Sequence, residues 1–187
     1  MAGRPSAGKR QEAVDRTRAA VMAAARELVS SGEGPPPSVG AVARRAGVSR
    51  LTIYNRFGSR AGLLRAVAGE AHRRVIEPEG DQEPGDARDE LRLRIASSCA
   101  RWASDPALFR GLTPVAAQTE TSREDRRLAE RLAIADHLRP GCSLKEAEDV
   151  IGVVTSFATF DRLHQDGRRS TAAVTEILMR MAGGILA

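Results

Sequence analysis

The chain is poor in the residue types that build disulfide-rich and metal-binding proteins. Its 187 residues include two cysteines, three histidines and six aromatic side chains. Cys99 and Cys142 lie far apart and form no CxxC pair, so we expect neither a disulfide framework nor a zinc knuckle. The histidines stand alone, without the spacing that metal ligands usually have. We therefore expect no metal and no resident cofactor.

The chain also lacks a long apolar run. A membrane span needs about 18 or more consecutive apolar residues, but the most apolar segment, 150–160, is interrupted by Thr155, Ser156 and Thr159. The basic N-terminus is not followed by the apolar stretch of a secretory signal. Apolar residues still make up 42% of the chain, which is enough for a core. The sequence predicts a folded cytoplasmic protein that does not enter a membrane.

Motifs for catalysis are missing as well. The sequence contains no HExxH, no GxxxxGK[ST] and no nucleophile elbow. No glycine-rich phosphate loop follows a strand pattern, because no strand pattern is present. We expect that the protein is not an enzyme.

Charge is distributed unevenly between the two parts of the chain. Residues 1–75 carry 14 Arg and Lys against 5 acids, whereas residues 76–187 carry 15 against 19. The basic segment 1–75 suits binding to a polyanion such as DNA, and the acidic segment 76–187 does not.

Helical periodicity dominates and predicts an all-α fold of about nine helices. We expect a flexible basic tail over 1–10, a three-helix DNA-binding domain over 11–75 and a helical body over 76–187. The acidic segment EPEGDQEPGD at 77–86 is the clearest linker. In the body, the apolar pattern predicts one long helix over 144–163 and a last helix over 171–185.

Residues 38–57 carry the most informative motif. Two short helical patterns meet at Ala46-Gly47-Val48-Ser49, where glycine tolerates the left-handed backbone of a sharp turn. Apolar residues of both helices pack inward, and the second helix keeps a polar outer face. This is the pattern of a helix-turn-helix, whose second helix enters the major groove of DNA. The candidate DNA contacts are Ser38, Arg50, Thr52, Tyr54, Asn55, Arg56 and Arg60.

These candidates divide by chemistry. Ser38, at a helix N-terminus, and the long donors Tyr54 and Arg60 suit phosphates. Three residues suit base edges, namely Arg50, Thr52 and Asn55. The Arg56 side chain suits either target. The alternative for Tyr54 is a core aromatic.

The run AVARRAGVSRLTIYNRFGSRAGLL, at residues 41–64, resembles the signature of the tetracycline-repressor (TetR) family of bacterial transcription regulators. The resemblance covers about residues 12–75. It implies a homodimer with a three-helix DNA-binding head, and a helical body that binds a small organic effector and thereby changes DNA affinity. The chain departs from the family in having Arg60-Ala61 after the Gly-Ser step. It also has Gly62 in the first turn of the next helix, which weakens a helix by about 1 kcal/mol relative to Ala.

Two further sets of residues in the body are candidates for a dimer interface and for an effector pocket, and each set has an alternative interpretation. Apolar residues on the last two helices predict a four-helix bundle between two subunits, the alternative being a helix buried inside one subunit. The dimer candidates are Val150, Val153, Val154, Phe157, Val174, Ile177, Leu178 and Met181. Large apolar side chains predict an effector pocket, the alternative being ordinary core packing. The pocket candidates are Trp102, Phe109, Leu112, Leu132, Phe157 and Phe160.

The sequence thus predicts a dimeric, ligand-responsive transcription regulator. We expect a repressor that leaves a palindromic operator when a small molecule binds, with the helix over 60–75 as the lever between head and body. The other reading is a helical enzyme, or a non-specific nucleic-acid-binding protein, that carries a helix-turn-helix.

Overall fold

A computed structural model describes residues 7–31, 36–75, 85–112 and 121–187 of the chain. All regular structure in these residues is helical, apart from one isolated bridge between Leu138 and Leu186. This confirms the all-α class. The helices are α1 (Ala7–Ser30), α2 (Val39–Ala46), α3 (Arg50–Phe57), α4 (Arg60–Val75), α5 (Ala87–Ser104), α6 (Pro106–Gly111), α7 (Thr121–Ile134), α8 (Leu144–Val154), α9 (Phe157–Asp161) and α10 (Thr171–Ala182). A π-helical turn, Arg162–Asp166, follows α9, and a 3-10 turn, Gly183–Ile185, follows α10.

The N-terminal end of α1 differs from the sequence prediction. The helix begins at Ala7, so residues 7–10 belong to it rather than to a flexible tail. Residues 1–6 lie outside the described residues, and so do residues 77–84 of the predicted linker over 77–86.

The predicted long helix over 144–163 is wrong, because it is divided at Thr155 and Ser156. The Thr155 hydroxyl donates to the carbonyl of Ile151, and the Ser156 hydroxyl donates to that of Val153. Ser156 Oγ then accepts the Thr159 N–H at 3.2 Å and caps α9. Side-chain hydrogen bonds of Ser and Thr offer the backbone an alternative to the helical ladder, and here they end one helix and begin another.

The core runs through both parts of the chain. In the head, Val21, Val42, Ile53 and Leu63 of the first four helices are buried against one another. The body has its own fully buried side chains, including Leu91, Ile95, Leu132, Ile151 and Leu178.

The head and the body meet through two helix pairs. The α1 helix packs against α6, and α4 packs against α5. An ion pair of 2.6 Å between Arg26 and Asp105 joins α1 to the residue that caps α6. No helix in the described part of the chain is long and apolar enough to span a membrane.

Candidate nucleic-acid interface and interior cavity

The turn between α2 and α3 is fixed by local hydrogen bonds. Ser38 Oγ accepts the Ala41 N–H and begins α2, and Gly47 ends that helix with a left-handed φ of 67°. The Val48 N–H returns to the carbonyl of Ala43 at 3.0 Å. Ser49 Oγ accepts the Thr52 N–H at 3.0 Å and begins α3. Such caps satisfy helix-end groups and set the angle at which α3 leaves the turn.

The α3 helix presents one face outward. Its single buried residue is Ile53, whereas Arg50, Tyr54 and Asn55 are exposed, and Thr52 and Arg56 are half-buried. Tyr54 keeps 48% of its surface exposed, which argues against the core alternative. The structure therefore brings five of the seven candidate DNA contacts together on one short helix.

Sequence reasoning missed Leu51, which belongs to the same outward face. Its side chain is 66% exposed, and it precedes Tyr54 and Asn55 by three and four residues, so the three share one side of α3. An exposed leucine on a helix of this kind suits apolar contact with a thymine methyl group. The signal was available, since the inward positions of α3 were already filled by Ile53 and Phe57.

Two of the candidate arginines have neighbours within the head. Arg60 was assigned to a phosphate, but its guanidinium donates to the carbonyls of Pro36 and Pro37, at 3.0 Å for Nε to Pro37. It holds the segment that leads into α2. The Arg50 guanidinium lies over Gly40 of α2, so close that a Cβ at position 40 would stand 3.0 Å from its nitrogens. Arg50 is thus placed beside the beginning of α2.

Gly62 has a reason that the sequence did not reveal. A Cβ at this position would stand 2.0 Å from the carbonyl oxygen of Phe57. Its N–H is bonded to Ser59 Oγ at 3.0 Å. Glycine therefore allows the close approach of α4 to the end of α3. Its low helix propensity is the cost of that contact.

A second feature is a cavity of about 840 Å³ in the body, between α5, α6, α7, α8 and α9. Three aromatic rings line it in an edge-to-face cluster. The Trp102 centroid lies 4.7 Å from that of Phe109 and 5.5 Å from that of Phe157. The indole N–H of Trp102 donates to the Thr155 carbonyl at 2.9 Å, at the break between α8 and α9. The helix break therefore helps to form the cavity wall.

The predicted pocket residues separate into two groups. Trp102, Phe109, Leu112 and Phe157 line the cavity. Leu132 and Phe160 do not line it; both are fully buried, and core packing accounts for them.

Charged side chains around the cavity are largely paired. Arg110 binds both carboxylate oxygens of Asp161, which raises the pKa of Arg110. Lys145 contacts Asp149 at 2.6 Å, and this hydrogen bond raises the lysine pKa. Deeper in the body, Arg94 contacts Asp125 at 3.0 Å and Glu124 at 2.9 Å.

Burial perturbs two of the deep groups. Asp125 has a raised pKa, since desolvation outweighs the attraction of Arg94. Arg101 stacks on Trp102, with its guanidinium carbon 4.0 Å from the ring centroid. Burial, and secondly repulsion from Arg94, lowers the pKa of Arg101 to about 10.

The predicted dimer residues also separate. Val154, Val174 and Leu178 are buried within one chain, so their assignment to a subunit interface is corrected: they belong to the monomer core. Val153 and Met181 are about half exposed, and Val150 and Ile177 are partly exposed. Phe157 faces the cavity. In the described ranges, no group of three or more His, Cys, Asp or Glu residues is arranged to hold a metal ion.

Comparison with known proteins identifies the head. Residues 21–67 match the family model of bacterial regulatory proteins of the tetR family. The HTH-type transcriptional regulator AlkX of Mycobacterium tuberculosis is 34% identical over 102 residues, which cover 53% of this chain and 48% of AlkX. The family match thus covers the helix-turn-helix head, residues 21–67, and not the body. The chain spans about half the length of this curated relative.

Solved structures extend the TetR likeness to the body. A TetR family transcription regulator from Marinobacter aquaeolei VT8 aligns with a TM-score of 0.61 and 24% identity, over 95% of this chain and 98% of that one. The regulator FadR of Bacillus subtilis, in complex with stearoyl-CoA, aligns with a TM-score of 0.65 and 17% identity, over 89% and 98%. NalD, the secondary repressor of the MexAB-OprM multidrug efflux pump in Pseudomonas aeruginosa, gives 0.62 and 20%, over 92% and 97%. At these identities the likeness establishes the TetR fold alone.

Proposed function

We propose that the protein is a sequence-specific DNA-binding transcription regulator that reads DNA with the outward face of α3. The observation that carries this proposal is the exposed set on that helix, held by the caps at Ser38 and Ser49. Arg50, Thr52, Leu51 and Asn55 suit base edges, and Tyr54 suits a phosphate. The excess of basic residues in 1–75 supports binding to a polyanion.

The protein acts as a homodimer, because a helix-turn-helix reads palindromic DNA through paired heads. Val153 on α8 and Met181 on α10 supply exposed apolar surface, with Val150 and Ile177 beside them. A two-fold axis through these helices would cover that surface with the same surface of a second copy.

The cavity binds a small organic effector, and its occupation releases the operator, so that the protein is a repressor. The α6 helix supports this coupling, since Phe109 and Leu112 at its end line the cavity. On its other side, Gly111 approaches α1 so closely that a Cβ would stand 2.5 Å from the Val29 carbonyl oxygen. A ligand that favours another position of α6 would therefore shift the population of head arrangements. This adds α6 to the lever expected from α4.

The experiment is a selection on a pool of duplexes with a randomised central segment. The purified protein should enrich one inverted repeat, with half-sites about one helical turn apart. Leu51→Ala and Asn55→Ala should change the enriched sequence, and Arg65→Ala, an exposed change on α4, should not. A pool that remains random after repeated rounds would contradict sequence-specific reading and favour non-specific nucleic-acid binding.

A further inference from the structure

A buried carboxylate oxygen faces the cavity. The Asp125 side chain is 4% exposed, and both hydrogen bonds from Arg94 reach the same oxygen, Oδ1. Among the described residues, Oδ2 accepts no hydrogen bond. Oδ2 is not among the fully enclosed polar atoms that lack a partner, so this oxygen is open to the space beside it. Asp125 lines the cavity, so Oδ2 is a free acceptor in its wall.

The route to this oxygen is kept open by Gly152 on the facing helix α8. A Cβ at position 152 would lie 3.7 Å from Asp125 Oδ2, which is an ordinary contact distance. Because residue 152 is glycine, α8 places no side chain of its own against the carboxylate at this point. The aromatic cluster of Trp102, Phe109 and Phe157 forms the other wall, and suits an apolar or aromatic group.

Charge around the cavity disfavours an anionic ligand. Its lining includes five carboxylates and three basic side chains. Arg110 and Lys145, two of the three cations, are already paired with Asp161 and Asp149. A ligand carboxylate or phosphate would have to displace one of these pairs or turn to Arg162, the third cation, against the five lining carboxylates. A protonated nitrogen would instead find the Asp125 Oδ2 acceptor and the rings of Phe109 and Phe157, since one face of Trp102 already holds the Arg101 guanidinium.

We propose that the cavity binds apolar or aromatic molecules that carry a protonated amine, with the amine donating to Asp125 Oδ2 and the apolar part lying against Trp102, Phe109 and Phe157. The physiological meaning of this site rests on the effector role proposed above. Binding itself is a property of the body, and can be measured without DNA.

The chain provides its own reporter, because Trp102 is its single tryptophan. Three probes of nearly equal shape are titrated against its fluorescence: 4-phenylbutylamine, 4-phenylbutan-1-ol and 4-phenylbutyrate. We expect the amine to bind about tenfold more tightly than the alcohol, since both can donate to the carboxylate but only the ammonium adds a positive charge to that hydrogen bond. The carboxylate should bind more weakly than the alcohol.

Two variants and a control test the assigned oxygen. Asp125→Asn should reduce amine affinity about tenfold and leave the alcohol within about twofold. Gly152→Ala places a methyl group beside Oδ2 without touching Arg94, and should reduce amine affinity in a protein at least as stable as the parent. Asp149→Asn removes another lining carboxylate, one paired with Lys145, and should leave the amine preference unchanged.

The outcomes separate this inference from the proposed regulation. Equal affinity for amine and alcohol, tighter binding of the carboxylate, or no amine binding would overturn the inference, whatever the DNA selection shows. An amine preference that Asp125→Asn and Gly152→Ala both leave intact would overturn the role of Oδ2. Amine binding that obeys the pattern, in a protein that selects no DNA sequence, would leave the site standing and refute the proposed function.

Discussion

The close approach at Gly62 gives the sharpest test of the head structure. In Gly62→Ala the new methyl would stand 2.0 Å from the Phe57 carbonyl oxygen, where an ordinary carbon–oxygen contact is about 3.3 Å or longer. The start of α4 would have to move by roughly 1 Å relative to α3. Over-packing of this kind costs about 1–3 kcal/mol, and the better helix propensity of alanine offsets about 1 kcal/mol. We expect a net loss of up to about 2 kcal/mol in the free energy of unfolding.

The matched control is Gly152→Ala in α8. There the new methyl meets its nearest neighbour at an ordinary 3.7 Å, so the propensity gain of up to about 1 kcal/mol should remain. The two variants should shift the urea midpoint in opposite directions at equal protein concentration and unchanged m-value. If Gly62→Ala raises the urea midpoint as much as Gly152→Ala does, the geometry assigned to the end of α3 is wrong.

Three further predictions follow from exposure and pairing. Tyr54→Ala should weaken binding to all DNA sequences in fluorescence anisotropy. Because the ring is half exposed, the free energy of unfolding should stay within about 0.5 kcal/mol of the parent. A much larger loss of stability would show that Tyr54 is a core residue. Met181→Glu should shift the mass in light scattering from dimer to monomer, whereas Leu51→Glu, equally polar but in the head, should not. In a double-mutant cycle, Arg26→Ala and Asp105→Ala should couple in unfolding free energy; additive effects would refute the pair as a link between head and body.

The head was predictable because its signals are local. The Gly47 turn and Ser38 at the N-terminus of α2 act within four residues of sequence, and the structure places them as the pattern indicated. The all-α class followed in the same way from periodicity. Positions that depend on contacts between elements were not predictable. In the sequence, Gly62 indicates only a weak start of the helix. The position of the Phe57 carbonyl oxygen explains why a glycine is needed there.

The body shows the same limit more clearly. The apolar pattern over 144–163 continues through Thr155 and Ser156, so it predicts one helix, but their side chains bond back to the backbone and divide it. Whether an apolar residue faces a core, a cavity or another subunit also depends on the packing of distant helices. The sequence therefore placed Val174 and Leu178 at an interface, although both are buried in the monomer.

The central claim is that two copies of α3 read DNA by sequence, and a competition measurement tests it most directly. The protein is bound to a labelled duplex obtained from the selection, and is displaced by the same duplex or by a scrambled duplex of equal length and composition, at fixed salt. The account predicts two chains per duplex and a preference of about 10³-fold or more for the selected sequence. Equal competition by the two duplexes, or one chain per duplex at saturation, would contradict it.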